Sequence, residues 1–240
     1  GMAVNGLVHP DRIVRNGGAK AGDLMVLTKA LGTGIVSTGI KQRKTTQAEE
    51  DAVAKSMVEL NDTAASLMLR YRVHACTDVT GFGLAGHAAE MVAASSGVKI
   101  VFDSTALPLL PGTARLAEAG FTTGGARRNR EFLGGRLSLA RDAETSTVEA
   151  LLDPQTSGGL LMALEEDEAV GRAEDGRALL DPNPPYPPLS ALTEALFAEA
   201  PRRIVEIARL MALPDAAVTE WAQPWLEAEL THASPAGDAA

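Results

Sequence analysis

The chain has 240 residues, 45% hydrophobic and 22% charged. That is enough apolar material for one large α/β or α+β domain, or one domain with an appendage, and it excludes an intrinsically disordered chain. Its 31 acidic and 22 basic residues leave a formal charge of -9. Such a surface repels phosphate backbones, so no nucleic-acid partner is expected; no apolar run is long enough to span a bilayer, so no membrane partner is expected either. Aromatics are only 4%, which leaves the core to aliphatic side chains. Cys76 is the one cysteine, so an intrachain disulfide and a thiolate zinc cluster are excluded. No signal peptide opens the sequence, and the expected compartment is the cytoplasm.

In chain order, Asp23 to Lys29 reads as a short apolar strand running into Gly32-Thr33-Gly34. Val53, Met57, Leu60, Ala64, Leu67 and Met68 recur at spacings of three and four, which predicts one long helix over 47–71. Val73 to Val79 predicts a strand, followed by a glycine-punctuated turn and a helix to about Ala94. Val98 to Asp103 reads as another strand, Leu107 to Pro111 as a connector, and Thr113 to Ala119 as a short helix. Glu149 to Asp153 and Gly159 to Leu164 read as strands flanking a polar loop. Strands alternating with helices argue a layered arrangement. The texture then changes: Glu165 to Glu168 is acidic, and five prolines fall within 181–188, a connector by composition. Pro201 and Pro214 open later segments, Arg203 to Leu210 is ambiguous between strand and helix, and the last eight residues read as a frayed tail.

Four polar loops are candidates for chemistry. Thr28, Lys29, Gly32 and Thr33 precede a helix, where glycines admit an anion to backbone N–H groups; an ordinary strand-to-helix turn explains them as well. Asp78, Thr80, Gly81 and Gly83 end a strand and open a helix. A carboxylate beside glycine-exposed amides suits Mg²⁺ facing phosphate, and the alternative is a local cap without metal. Gly81, Gly83 and Gly86, with Asp103 beyond, also spell a dinucleotide fingerprint, weak by itself in a chain with 23 glycines. Arg127, Arg128 and Arg130 in the stretch 124–130 suit phosphate oxygens or form a solvated basic turn, with Asn129 as an alternative orienter of a neighbouring loop. Gln155 and Thr156 lie in a polar loop between Pro154 and Gly158-Gly159, equally readable as a structural connection. Cys76 reads as a small core residue, and His74 and His87 show no metal-ligand pattern. No Ser/His/Asp arrangement is supported by local context.

Taken in order, TKALGTGI (28–35), HACTDVTGFGLAGHAAEM (74–91), LPLLPG (107–112), GGARRNR (124–130) and LLDPQTSGGLLMAL (151–164) closely resemble selenophosphate synthetase (selenide, water dikinase) over residues 3–165. The resemblance implies the C-terminal domain of the aminoimidazole ribonucleotide synthetase-like ATP-binding superfamily, an α+β fold with a mixed sheet layered with helices. It implies an enzyme that converts ATP, selenide and water to selenophosphate, AMP and phosphate, with Asp78 helping to hold Mg²⁺ on the ATP phosphates. Thr28, Lys29, Gly32, Thr33, Thr80, Gly81, Gly83, Arg127, Asn129, Gln155 and Thr156 are the implied nucleotide-facing set. The family's N-terminal domain, with its reactive Cys or selenocysteine, lysine and further aspartates, is missing from these 240 residues, so no catalytic residue is assigned and the chain alone is expected to be inactive. That domain is an expected partner, and homodimer formation stays open. The expected organisation is a junction remnant (1–22), the synthetase-like domain (23–165), a connector (166–188), a helical or helix-strand tail (189–232) and a disordered end (233–240). ALFAEAPRRIVEIA (195–208) is similar to a passage in formylglycinamide ribonucleotide amidotransferase, which implies a strand over 203–208 closing the same sheet. Two rivals accompany this reading: a dinucleotide-binding oxidoreductase domain, and a non-catalytic partner-binding or dimerisation module of the same superfamily.

Overall fold

The structure, a computed structural model, describes residues 6–69, 71–141 and 143–165, and the backbone of 171–172, 178–179 and 205–209. The connector, helix and tail expectations beyond Glu165 otherwise fall outside the described residues. The fold is α+β. Strands β1 (Leu24–Leu27), β2 (Val73–Asp78), β3 (Val101–Phe102), β4 (Leu160–Leu164) and β7 (Val205–Arg209) form one sheet in the order β2-β4-β1-β7-β3, while β5 (Gly171–Arg172) and β6 (Ala178–Leu179) pair with each other. Every strand pair is antiparallel. Among the described residues the parallel component is one isolated bridge, Leu31 to Leu109.

Position in the sheet explains the composition of the strands. β1 lies between β4 and β7, and all four of its residues are buried, so it reads as a continuous apolar run. Its side chains alternate between two cores. Met25 and Leu27 join Ala75, Leu161 and Ala163 under helices α4 (Gly83–Ala93), α6 (Gly124–Leu133) and α7 (Thr145–Leu152). Val26 joins Met162 and Leu164 on the opposite face, against Ala64 and Leu67 of α3 (Asp62–Met68). A third cluster packs Ile35 and Val36 of α1 (Thr33–Lys41) on Val53 of α2 (Gln47–Val58) and Leu116 of α5 (Thr113–Glu118). Each such side chain, fully buried, contributes roughly 1.5–3 kcal/mol.

Four elements differ from the sequence reading. The helix expected over 47–71 is two helices. α2 opens on a Thr46/Glu49 capping box and ends at Val58, because the next residue, Glu59, is extended. The apolar spacing misleads because Leu60 is 73% exposed; the break instead frees the Glu59 carbonyl and the Asn61 side chain to bond elsewhere. Residues 149–152 lie in α7, not in a strand, and the helix buries Val148, Ala150, Leu151 and Leu152. The 124–130 stretch is the first part of α6, capped by the Thr123 hydroxyl accepting from the Ala126 N–H. The strand expected over 98–103 shrinks to two residues. No helix among the described residues is long and apolar enough to cross a membrane.

Candidate functional site

The loop from Asp153 to Gly159 joins α7 to β4 and is the point where the other polar loops meet. Asp153 and Gln155 are buried, whereas Thr156 and Ser157 are exposed. Asp153 Oδ2 accepts from the N–H groups of Gly34 (2.9 Å) and Ile35 (3.1 Å), so the loop supplies a carboxyl acceptor at the start of α1. Gln155 Oε1 accepts from the N–H groups of Gly32 (3.1 Å) and Thr33 (3.2 Å) and from the Thr33 hydroxyl (3.2 Å). The Thr156 N–H donates to the Thr33 hydroxyl at 2.8 Å. Thr28 accepts from the Leu160 N–H at 2.8 Å. The helix start suggested for an external anion is thus filled from within the chain. Glycine is required at 34: a Cβ there would stand 2.3 Å from Asp153 Oδ1.

Lys29 is 3% exposed, and its ammonium donates to the carbonyls of Ser56 (3.3 Å), Glu59 (2.6 Å) and Ser157 (2.8 Å). It ties the α2–α3 break to the central loop. Asn61 Nδ2 donates to the Gly158 carbonyl at 2.9 Å and strengthens the same tie. A Cβ on Gly158 would stand 2.0 Å from the Val79 carbonyl, so the second polar loop crosses here at closest approach.

Asp78 ends β2 opposite Leu160 and is exposed. Among the described residues its carboxylate takes no hydrogen bond and no ion pair. The turn after it is fixed from several sides. The Val79 N–H donates to the Gly159 carbonyl (2.9 Å), and the Gln155 N–H to the Thr80 carbonyl (2.9 Å). Buried Asn129 donates from Nδ2 to the carbonyls of Gly81 (3.0 Å) and Leu152 (2.9 Å), acting as the orienter that the sequence left as an alternative. Gly83 has φ +68, and a Cβ on it would meet the Leu151 and Leu152 backbone at 2.9 Å. Gly81 is exposed, with open space where its Cβ would be. Arg127 is exposed on α6, whereas Arg130 pairs with Glu149.

The candidate residues therefore separate by depth. Thr28, Lys29, Gly32, Thr33, Gly83, Asn129 and Gln155 are buried, Thr80 is half-buried, and Asp78, Gly81, Arg127 and Thr156 are exposed. The sequence reading missed Asp153 as a partner of α1, although its place beside Pro154 in the same polar loop was visible. It also missed a hydrogen-bonded chain from Thr80 to His87 to Glu90, for which the three-residue spacing of His87 and Glu90 on one helix was the available signal. A second chain runs from Lys20 to His74 to Asp23 at the foot of β1.

Burial displaces the pKa of two groups at and beside the site. Burial pushes the Asp153 carboxyl up to about 7, against hydrogen bonds from Ile35, Gly34 and Gln155 that pull it down. Burial, and then the charge of Asp78, push the Cys76 thiol up to about 11, so it stays protonated at neutral pH and is no nucleophile. The described residues contain no cluster of three or more His, Cys, Asp or Glu able to cage a metal. A lone exposed carboxylate still fits Mg²⁺, which is held through one or two carboxylates plus phosphates and water.

Topology removes the dinucleotide rival. Gly81 lies between β2 and α4, and Gly83 and Gly86 belong to α4, but β2 and β3 occupy opposite ends of an antiparallel sheet. The parallel βαβ unit that gives the fingerprint its meaning does not form.

Residues 20–177 match the family described as AIR synthase related protein, C-terminal domain. The chain is 43% identical to selenide, water dikinase of Caldanaerobacter subterraneus over 169 residues, 70% of this chain and 48% of that protein. It is 45% identical to selenide, water dikinase of Trichlorobacter lovleyi over 170 residues, 71% of this chain and 49% of that protein. It thus spans about half the length of the curated relatives it matches. A crystal structure of thiamine-monophosphate kinase from Stenotrophomonas maltophilia aligns at a TM-score of 0.49 and 18% identity, covering 85% of this chain and 52% of that one.

Proposed function

We propose, on the premise that this chain belongs to the AIR synthase related C-terminal domain family, that it is the second domain of a cytoplasmic selenophosphate synthetase and forms one wall of its Mg-ATP cleft. The reading is carried by one observation: an exposed carboxylate without a partner among the described residues, Asp78, on a turn that the 153–159 loop and buried Asn129 hold in place.

The depth of each residue assigns its work. Asp78 holds the cation, Gly81 lets phosphate approach the backbone, and Arg127 and Thr156 offer donors to phosphate oxygens. Lys29, Thr33, Asn129 and Gln155 do not touch the ligand in this scheme. They fix the loops so that the exposed groups are in place before substrate arrives, and preorganisation of this kind is the larger part of phosphoryl-transfer catalysis. When bound, Mg²⁺ neutralises phosphate charge that an acidic protein surface would otherwise repel.

A single carboxylate is too little to run the reaction, so these 240 residues alone are expected not to make AMP from ATP and selenide. Joined to the first domain of a selenide, water dikinase, they are expected to do so, and Asp78→Asn is expected to lower the rate at least about tenfold with the fold intact. Selenide-dependent AMP formation by the chain alone, or an unaffected Asp78→Asn enzyme, would refute the proposal.

A further inference from the structure

Thr80 lies two residues beyond Asp78, and its carbonyl accepts from the N–H groups of Gly83 (3.1 Å) and Gln155 (2.9 Å). Its hydroxyl is 3.1 Å from Nε2 of His87, and Nδ1 of His87 is 3.1 Å from Oε2 of Glu90. His87 is 7% exposed, and the Phe82 ring meets it edge-on with centroids 5.6 Å apart. The imidazole is thus largely shielded from water, while the Glu90 side chain is 41% exposed.

The donors and acceptors in this chain can be assigned one after another. A carboxylate only accepts, so Nδ1 of neutral His87 carries the ring proton toward Glu90. Nε2 is then a bare lone pair. The Thr80 hydroxyl must give its only proton to that lone pair, which leaves its oxygen with acceptor capacity alone. A hydroxyl in this state cannot donate to a phosphate oxygen. It can accept from a cation's water or bind the cation itself.

We propose that Glu90 and His87 are positioning residues that orient the Thr80 hydroxyl as an acceptor, committing Thr80 to the cation at Asp78 and not to the phosphates. The inference rests on the Mg-ATP reading above and moves Thr80 from the nucleotide-facing group to the cation-facing one.

The first test reads the proton directly on the 240-residue chain. Nitrogen-resolved NMR of the neutral His87 ring is expected to find Nδ1 protonated and Nε2 bare. A ring protonated at Nε2 would overturn the proposal whatever the protein's activity. The second test uses the chain joined to a first domain and measures the Mg²⁺ concentration for half-maximal rate. Thr80→Val is expected to raise it about tenfold, as the loss of an outer-shell partner does, and Thr80→Ser to stay within about twofold of the parent. The KM for selenide should not move. An unchanged Mg²⁺ requirement in Thr80→Val, with Asp78→Asn impaired, sinks the role of Thr80 alone. An unimpaired Asp78→Asn sinks the Mg-ATP reading and this inference with it.

Discussion

Replacing Asp153 by asparagine should remove a pH dependence from the stability of the chain. The carboxyl is fully buried, and burial raises it from its ordinary 3.8 to about 7. The folded state therefore binds this proton more tightly than the unfolded state does. Stability from this group is complete below about pH 4, declines as pH rises, and is gone above about pH 7. At about 1.36 kcal/mol for each pH unit, the whole span is about 4 kcal/mol, of which roughly 2.5 kcal/mol falls between pH 5 and pH 8. The asparagine of the Asp153→Asn variant keeps an oxygen for the Gly34 and Ile35 N–H groups and has no charge to lose. Its amide nitrogen would occupy the place of Oδ1, which has no partner, and that cost is the same at every pH. The assay is urea unfolding of both proteins from pH 5 to pH 8. The difference between them should drift toward the variant by roughly 2.5 kcal/mol as pH rises. Parallel curves would show that the positive end of α1 outweighs burial at Asp153, and the reasoning would fail.

Gly34→Ala places a methyl 2.3 Å from Asp153 Oδ1 and 2.8 Å from the Pro154 carbonyl, so thermal unfolding should show a loss of about 1–3 kcal/mol. Lys29→Met keeps the buried stem but strips three carbonyls of their donor, and urea unfolding should lose about 3 kcal/mol; an unchanged midpoint would mean that water replaces the ammonium. Asn129→Ala should leave the Gly81 and Leu152 carbonyls unbonded and cost about 2 kcal/mol. Amide hydrogen exchange should then quicken in the 78–83 turn more than in β1.

The parts of the fold that were legible in the sequence are those where one local pattern decides. Leu24–Leu27 and Leu160–Leu164 are apolar without interruption because both strands are covered on two faces. Asp78 was visible as a candidate because a lone carboxylate followed by three glycines within eight residues has few uses. The three-residue apolar run at 150–152 was not decidable, since a short buried run has neither helical nor strand period. Gly124-Gly125 suggested a turn, yet Gly125 packs against Pro154 and begins a helix. The burial of Lys29 was invisible for a different reason. Its acceptors lie 27, 30 and 128 residues away in the chain, and only tertiary structure brings them together. The same holds for Asp153 and α1.

β2 is an outer strand of the sheet, and the N–H of Cys76 donates to the carbonyl of Arg15 at 2.8 Å. The leading segment thereby blunts an edge that would otherwise recruit strands from other molecules. Gly18 and Ala19 fasten that segment further through the Ser95 hydroxyl. Trimming the chain to the point where β1 starts would take only Ala19 from the described core clusters and bare this edge, so a shortened version should self-associate at concentrations where the parent remains monodisperse.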